Sequence, residues 1–328
     1  MPLDRILRHL IAWQQADGPP VPARALGVEE ARRRYRANAA PLPTDTAQGP
    51  HPEVTSTDET LTAADGTTLA CRVYTPPTDR GRLVTYLHGG GWTVGDLDSH
   101  DLACRSVADA LGAVVVAVDY RRAPEFPYPT PLLDCIATAR WAARVHPGRP
   151  HVLAGDSAGA SLAVGVALDA RDQGDLPLAA QLLLYPPTDP RLLFAAGSAH
   201  AEGHLLSLDD MAYHYDLYVP DAHRRRDPAV DLLGADLRHL PPAVVATAEF
   251  DPLHDEGVEL ADKLAVSGVP VRHVPGPGLV HGYFLMQHLV PAAAARSALV
   301  LAELDTLLGP PQHDDRPAAD EHCEAVRA

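Results

Sequence analysis

From about residue 55 to residue 308 the sequence alternates short β-rich runs with longer stretches of helical periodicity, and this alternation constrains the fold more than any other feature. Strands joined by helix-length connections pair in parallel, because a parallel neighbour is reached only by a crossover, and such a sheet must be covered on both faces. Candidate strands are Thr55 to Thr62, Thr68 to Thr75, Leu83 to Leu87, Ala113 to Asp119, Val152 to Gly155, Gln181 to Tyr185, Ala243 to Ala248 and Val269 to Val274. The first two read as a hairpin across Asp65-Gly66, a turn pair that tolerates φ > 0. Helical stretches fall near 99–111, 130–146, 158–173, 253–267 and 291–308. The predicted fold class is α/β, a mostly parallel sheet of about eight strands flanked by helices, and 328 residues suffice to bury one large core of that kind.

Two segments stand outside the alternation. Residues 1–53 carry Leu3, Ile6, Leu7, Leu10 and Ile11 at helical spacing, a second helix from about Val28 to Ala37, and a Pro-rich linker. Residues 190–222 interrupt the run from strand to helix and contain a predicted helix from Leu208 to Tyr218. Insertions at the carboxyl ends of strands sit over the site in open α/β sheets, so the two segments are expected to form a helical lid on a core made of 54–189 and 223–309. Residues 310–328 are Pro- and charge-rich without periodicity and are expected to be disordered, so His313, His322 and Cys323 read as a solvated tail rather than as metal ligands.

Composition narrows the function classes. A net charge of −16 argues against nucleic acid, whose phosphates need Lys and Arg. The first residues break their apolar run with Asp4, Arg5, Arg8 and His9, unlike a signal peptide, and no apolar run reaches the ~18 residues of a membrane span. Cys71, Cys104, Cys135 and Cys323 lie far apart without a C-x-x-C pair, which fits a reducing compartment. A soluble, cytoplasmic enzyme is the expectation.

Four stretches carry chemistry. Gly155-Asp156-Ser157-Ala158-Gly159 follows a strand and opens an apolar helix, the strand, sharp turn and helix that expose a nucleophilic serine. A bare G-x-S-x-G arises by chance in roughly one chain in ten of this length, taking Gly at about 7%, so its placement carries the weight. His88-Gly89-Gly90-Gly91-Trp92 follows another strand. Acyl transfer builds up an oxyanion that preorganised N–H groups must meet, and the amides of Gly89, Gly90 and Ala158 are the candidates. In the chain order serine, acid, histidine, Asp251 and His281 both lie in loops that leave the carboxyl edge of the sheet, after the strands Ala243 to Ala248 and Val269 to Val274. Asp255 and Glu256 compete for the acid; His254, His273 and His288 compete for the base. Trp92, Tyr185 and Val280 are the candidate pocket residues, although Trp92 serves equally well as packing.

With these motifs in order, the sequence resembles the hormone-sensitive-lipase family of esterases, the bacterial family IV carboxylesterases of the α/β-hydrolase superfamily. The resemblance rests on His88-Gly-Gly-Gly-Trp92, Asp119-Tyr-Arg-Arg-Ala-Pro-Glu125, Gly155-Asp-Ser-Ala-Gly159, Asp251-Pro-Leu-His-Asp-Glu-Gly257 and His281-Gly-Tyr283, across residues 55–305. It implies a Ser157, Asp251 and His281 triad, oxyanion donors at Gly89, Gly90 and Ala158, and a lid built from the N-terminal helices and an insertion before the acid. Arg122 stands where the family has Leu and Phe126 where it often has His, positions that brace the site, so substrate fit is where a difference is expected. The expected activity is hydrolysis of short- to medium-chain acyl esters without metal or organic cofactor, on a small-molecule ester, with homo-oligomerisation left open. Two other readings stay open: an amidase or peptidase on the same fold, and a non-catalytic ligand-binding receptor of the kind found among plant gibberellin receptors, which resemble this family but lack the histidine.

Overall fold

The computed structural model of the chain describes residues 1–16, 21–39 and 51–310. The N-terminal segment forms three helices, α1 (Arg5–Gln14), α2 (Ala23–Leu26) and α3 (Val28–Ala39). Asp4 starts the first, its carboxylate accepting the free amides of Ile6 and Leu7 at 2.8 and 3.2 Å. The hairpin strands β1 (Thr55–Thr62) and β2 (Thr68–Thr75) pair antiparallel, from Thr55 opposite Thr75 to Thr62 opposite Thr68, as the Asp65-Gly66 turn predicts. The alternation then runs β3 (Arg82–Leu87), α4 (Asp101–Leu111), β4 (Ala113–Val118), α5 (Thr130–Val145), β5 (His151–Asp156), α6 (Ala158–Gln173) and β6 (Ala180–Leu184). The insertion holds α7 (Leu193–Gly197) and α8 (Leu208–Tyr218), and β7 (Ala243–Phe250), α9 (His254–Val266), β8 (Val271–Val280) and α10 (Pro291–Leu308) complete the described chain.

One eight-stranded sheet results, in the order β1-β2-β4-β3-β5-β6-β7-β8, parallel from β4 to β8 and antiparallel at the hairpin end. Strands β3, β4, β5 and β6 are buried on both faces, which is why they read as continuous apolar runs rather than as alternating ones. One face packs against α5, α6, α8 and α9 through residues such as Leu132, Leu162, Met211 and Leu260. The other packs against α1, α4 and α10 through Leu7, Val107 and Leu301. The carboxyl ends of β3, β5, β6, β7 and β8 therefore share one edge, and the chemistry-bearing segments leave from it.

The eighth strand departs furthest from expectation. Sequence reading ends it at Val274, before Pro275-Gly-Pro-Gly278, yet β8 continues to Val280. Proline lacks an amide and breaks a central strand, but β8 is the sheet's edge. Its outer side is closed where the amide of Asp4 donates to the Gly278 carbonyl at 2.9 Å. The short helices α2 and α7 are under two turns and leave no periodicity in the sequence. The expected disorder of the tail beyond residue 310, with His313, His322 and Cys323, lies outside the described residues.

Candidate active site

Ser157 stands at the turn between β5 and α6 with φ +51°, a left-handed conformation costly for a residue with a side chain, and is 9% exposed. Its amide donates to Leu184 of neighbouring β6 at 2.8 Å, which pins the turn to the sheet. Opposite it, β7 and β8 deliver the other two groups together. Phe250 pairs with Val280 across a register irregularity at Ala248 to Phe250, so the residues that follow them, Asp251 and His281, emerge side by side. His281 Nε2 lies 2.9 Å from Ser157 Oγ, and His281 Nδ1 lies 2.7 Å from Asp251 Oδ2. Asp251 is fully buried, and its other oxygen accepts the Leu253 amide at 2.9 Å. This chain of contacts can move a proton from the serine hydroxyl to the imidazole while the carboxylate orients the ring.

Of the competing candidates, His254, His273 and Glu256 are engaged elsewhere and Asp255 is exposed. His254 Nδ1 bonds the Ala248 carbonyl at 2.8 Å, and His273, within β8, bonds Thr247 Oγ1 at 3.0 Å. Asp255 is exposed on α9. Glu256 is fully buried, accepts the Thr188 amide at 2.6 Å, and burial pushes its carboxyl well above the usual range.

The glycine loop requires one correction. The Gly89 amide points away from the serine hydroxyl's surroundings, donating to Asp156 Oδ1 at 3.0 Å and facing His100 Nε2 at 3.2 Å. Among the described residues, the amides of Gly90, Gly91 and Ala158 donate to no other group. Asp156 is 1% exposed at the end of β5. It also accepts from Tyr86 Oη at 2.9 Å and lies 3.3 Å from His100 Nε2, tying the loop to the serine turn. Burial pushes its carboxyl up, and His100 and Tyr86 pull it further down, leaving it below the ordinary value. His100 escaped sequence reading because no motif marks it.

The pocket candidates separate. The Tyr185 ring meets His281 edge-on, centroids 4.8 Å apart, and Val280 is buried beside the histidine it precedes. Trp92 is 2% exposed and stacked flat on Tyr218 of α8, which makes it packing for the insertion. Two of the N-terminal helices, α2 and α3, contact the segments around this end. Arg32 of α3 donates to the Thr93 and Ala123 carbonyls at 2.9 and 3.1 Å and pairs with Glu125 at 2.7 Å. Tyr35 of α3 stacks over His100, centroids 6.2 Å apart. The insertion and the N-terminus meet where the Ala23 amide donates to Asp210 at 3.3 Å and Arg24 pairs with Asp216 at 3.2 Å.

Residues 84–285 match the α/β-hydrolase fold family. The sequence is 39% identical over 295 residues to a carboxylesterase of Mycobacterium tuberculosis, NlhH, covering 86% of this chain and 90% of that one. It is 34% identical over 308 residues to an ethyl acetate hydrolase of Pseudomonas putida, covering 90% and 95%. A solved thermostable esterase from Pseudomonas putida superimposes with a TM-score of 0.85 at 31% identity, covering 94% of this chain and 98% of its own.

Proposed function

The chain belongs to the hormone-sensitive-lipase-like family of α/β-hydrolases and is a carboxylic-ester hydrolase, and from that premise we propose that it cleaves short- to medium-chain acyl esters through an acyl-enzyme on Ser157. The contacts of 2.9 and 2.7 Å that link Ser157, His281 and Asp251 carry the reading. His281 Nε2 takes the hydroxyl proton as Ser157 Oγ bonds the carbonyl carbon, and Asp251 stabilises the imidazolium. The negative charge on the former carbonyl oxygen is met by the amides of Gly90, Gly91 and Ala158. Collapse breaks the bond to the alcohol oxygen, which leaves with the proton held by His281. Water then repeats the sequence, giving its proton to His281 and its oxygen to the acyl group, and Ser157 Oγ departs as the hydroxyl.

The preference for shorter acyl chains rests on the cover. In this reading α1 to α3 and residues 190–222 form a lid over the serine. Each added methylene contributes about 0.8 kcal/mol only while it finds apolar surface to bury against. Similarity to a protein named for ethyl acetate hydrolysis points the same way. Among the described residues no helix is long and apolar enough to cross a membrane.

A p-nitrophenyl ester series, the matching anilides and an organophosphate label together test the proposal. The expected results are one label per chain at Ser157, loss of at least about 10⁴-fold in kcat for Ser157→Ala, and a kcat/KM maximum within roughly two to eight acyl carbons. Faster turnover of a sixteen-carbon ester than of butyrate, by about tenfold, would replace the esterase reading with a lipase. Faster turnover of the anilides would replace it with an amidase.

A further inference from the structure

Three consecutive residues of the glycine loop are gripped by α8. Gly91 lies against the His214 ring so closely that a Cβ there would come within 2.6 Å of His214 Cδ2 and Nδ1. Trp92 stacks on Tyr218 with centroids 4.4 Å apart and planes 5° from parallel, and lies 4.9 Å from Tyr215. Thr93 Oγ1 shares a hydrogen bond of 2.8 Å with His214 Nδ1. The loop backbone is left-handed throughout this stretch, with φ of +112°, +56° and +59° at Gly90, Gly91 and Trp92. Such a run, with a tryptophan in it, persists only where its surroundings over-determine it. Those surroundings belong to the insertion and, through Arg32, to α3.

We propose that His214 is a positioning residue for ester hydrolysis: carried on the insertion, it wedges against Gly91 and bonds Thr93, and so keeps the Gly90 and Gly91 amides aimed at the developing oxyanion. The proposal rests on the assignment of those amides to the oxyanion. It makes the oxyanion site a joint product of core and insertion, complete only when α8 is docked. Burial pushes the His214 imidazole down to about 4, against a smaller upward pull from Asp210, so at neutral pH it serves as an uncharged wedge with one hydrogen bond. A misaimed donor weakens the transition state and leaves ground-state binding largely intact, so the loss belongs in kcat rather than KM.

The test compares His214→Ala, His214→Asn and Thr93→Val with the wild type on p-nitrophenyl butyrate, alongside inhibition by a trifluoromethyl ketone, whose adduct with the serine carries an oxyanion. We expect His214→Ala to lower kcat by about 10- to 100-fold with KM within about threefold, and the ketone Ki to rise in step with the fall in kcat/KM. Asn places an amide where Nδ1 stood and should recover at least about a third of kcat. Thr93→Val removes the hydrogen bond alone and reports on it even if His214→Ala fails to fold. Unchanged kcat in Thr93→Val and in any folded His214→Ala overturns the proposal, as does a ketone Ki that stays constant while kcat falls. Labelling of Ser157 in every variant shows that the underlying serine reading stands; absence of label in the wild type would overturn that reading first.

Discussion

Asp251 and Asp255 are four positions apart, carry the same carboxylate and sit in opposite surroundings. Asp251 is fully buried, with one oxygen on His281 and the other on the Leu253 amide. Asp255 faces water on α9. Asp251→Asn presents either a donor that opposes the required tautomer or an uncharged acceptor that no longer stabilises the imidazolium, so kcat should fall by about 10⁴-fold. Asp255→Asn should leave kcat within about threefold, since exposed polar exchanges cost little. Steady-state kinetics on one ester decide it, and the reverse ranking would move the acid to Asp255. Sequence order narrowed the acid and the base to a few candidates and the family resemblance chose Asp251 and His281 among them; in the structure Ser157, Asp251 and His281 are each the first residue after a strand. The loop amides were not legible in that way. Whether Gly89 or Gly91 faces the serine depends on Asp156, 67 positions away, and on His100, neither of which the glycine motif contains.

At the scale of elements, the turn between β5 and α6 depends on a close crossing. A Cβ on Gly159 would collide with the Leu87 carbonyl and lie 2.6 Å from that of His88, where β3 gives way to the glycine loop. Gly159→Ala should therefore push the serine turn and the loop apart and cost at least about 100-fold in kcat, a scale set by misplacement of about 1 Å. Gly197→Ala, at the end of α7 with nothing within 4 Å of its Cβ, is the matched control and should leave kcat and Tm unchanged. Near-native rates in Gly159→Ala would show that the crossing tolerates a methyl. The strands and long helices were legible because burial on two faces writes an apolar run and burial on one writes a helical period. What each helix of residues 1–39 and 190–222 rests on was hidden, since ion pairs such as Arg24 with Asp216 join residues 192 apart.

Over the whole molecule, acid should find buried imidazoles. His151 is 2% exposed, bonds Thr85 Oγ1 at 2.8 Å, and burial pushes it down to about 4. His88, stacked on Tyr120 with centroids 4.1 Å apart, is pushed down to about 3 by burial and by His100. An unfolded histidine takes its proton near pH 6.5 whereas folded His151 waits until about 4, so between those values the unfolded chain binds more protons and stability falls with pH. Glu256, raised by burial, contributes the opposite slope, so the informative quantity is a difference between proteins. Relative to His151→Gln, the wild type should lose about 1.4 kcal/mol per pH unit from pH 6.5 towards 4. Denaturant unfolding at half-unit steps of pH measures this, and parallel curves would mean that His151 is protonated in the fold. The docking of Ala23 and Arg24 onto α8, 187 and 192 positions further along the chain, also has a consequence during synthesis. At about 5–20 residues per second, α2 waits roughly 10–40 s for the α8 surface it rests on. A helix of 4 residues is marginal alone in water, so this nascent segment is a natural client for a ribosome-bound chaperone until the insertion emerges.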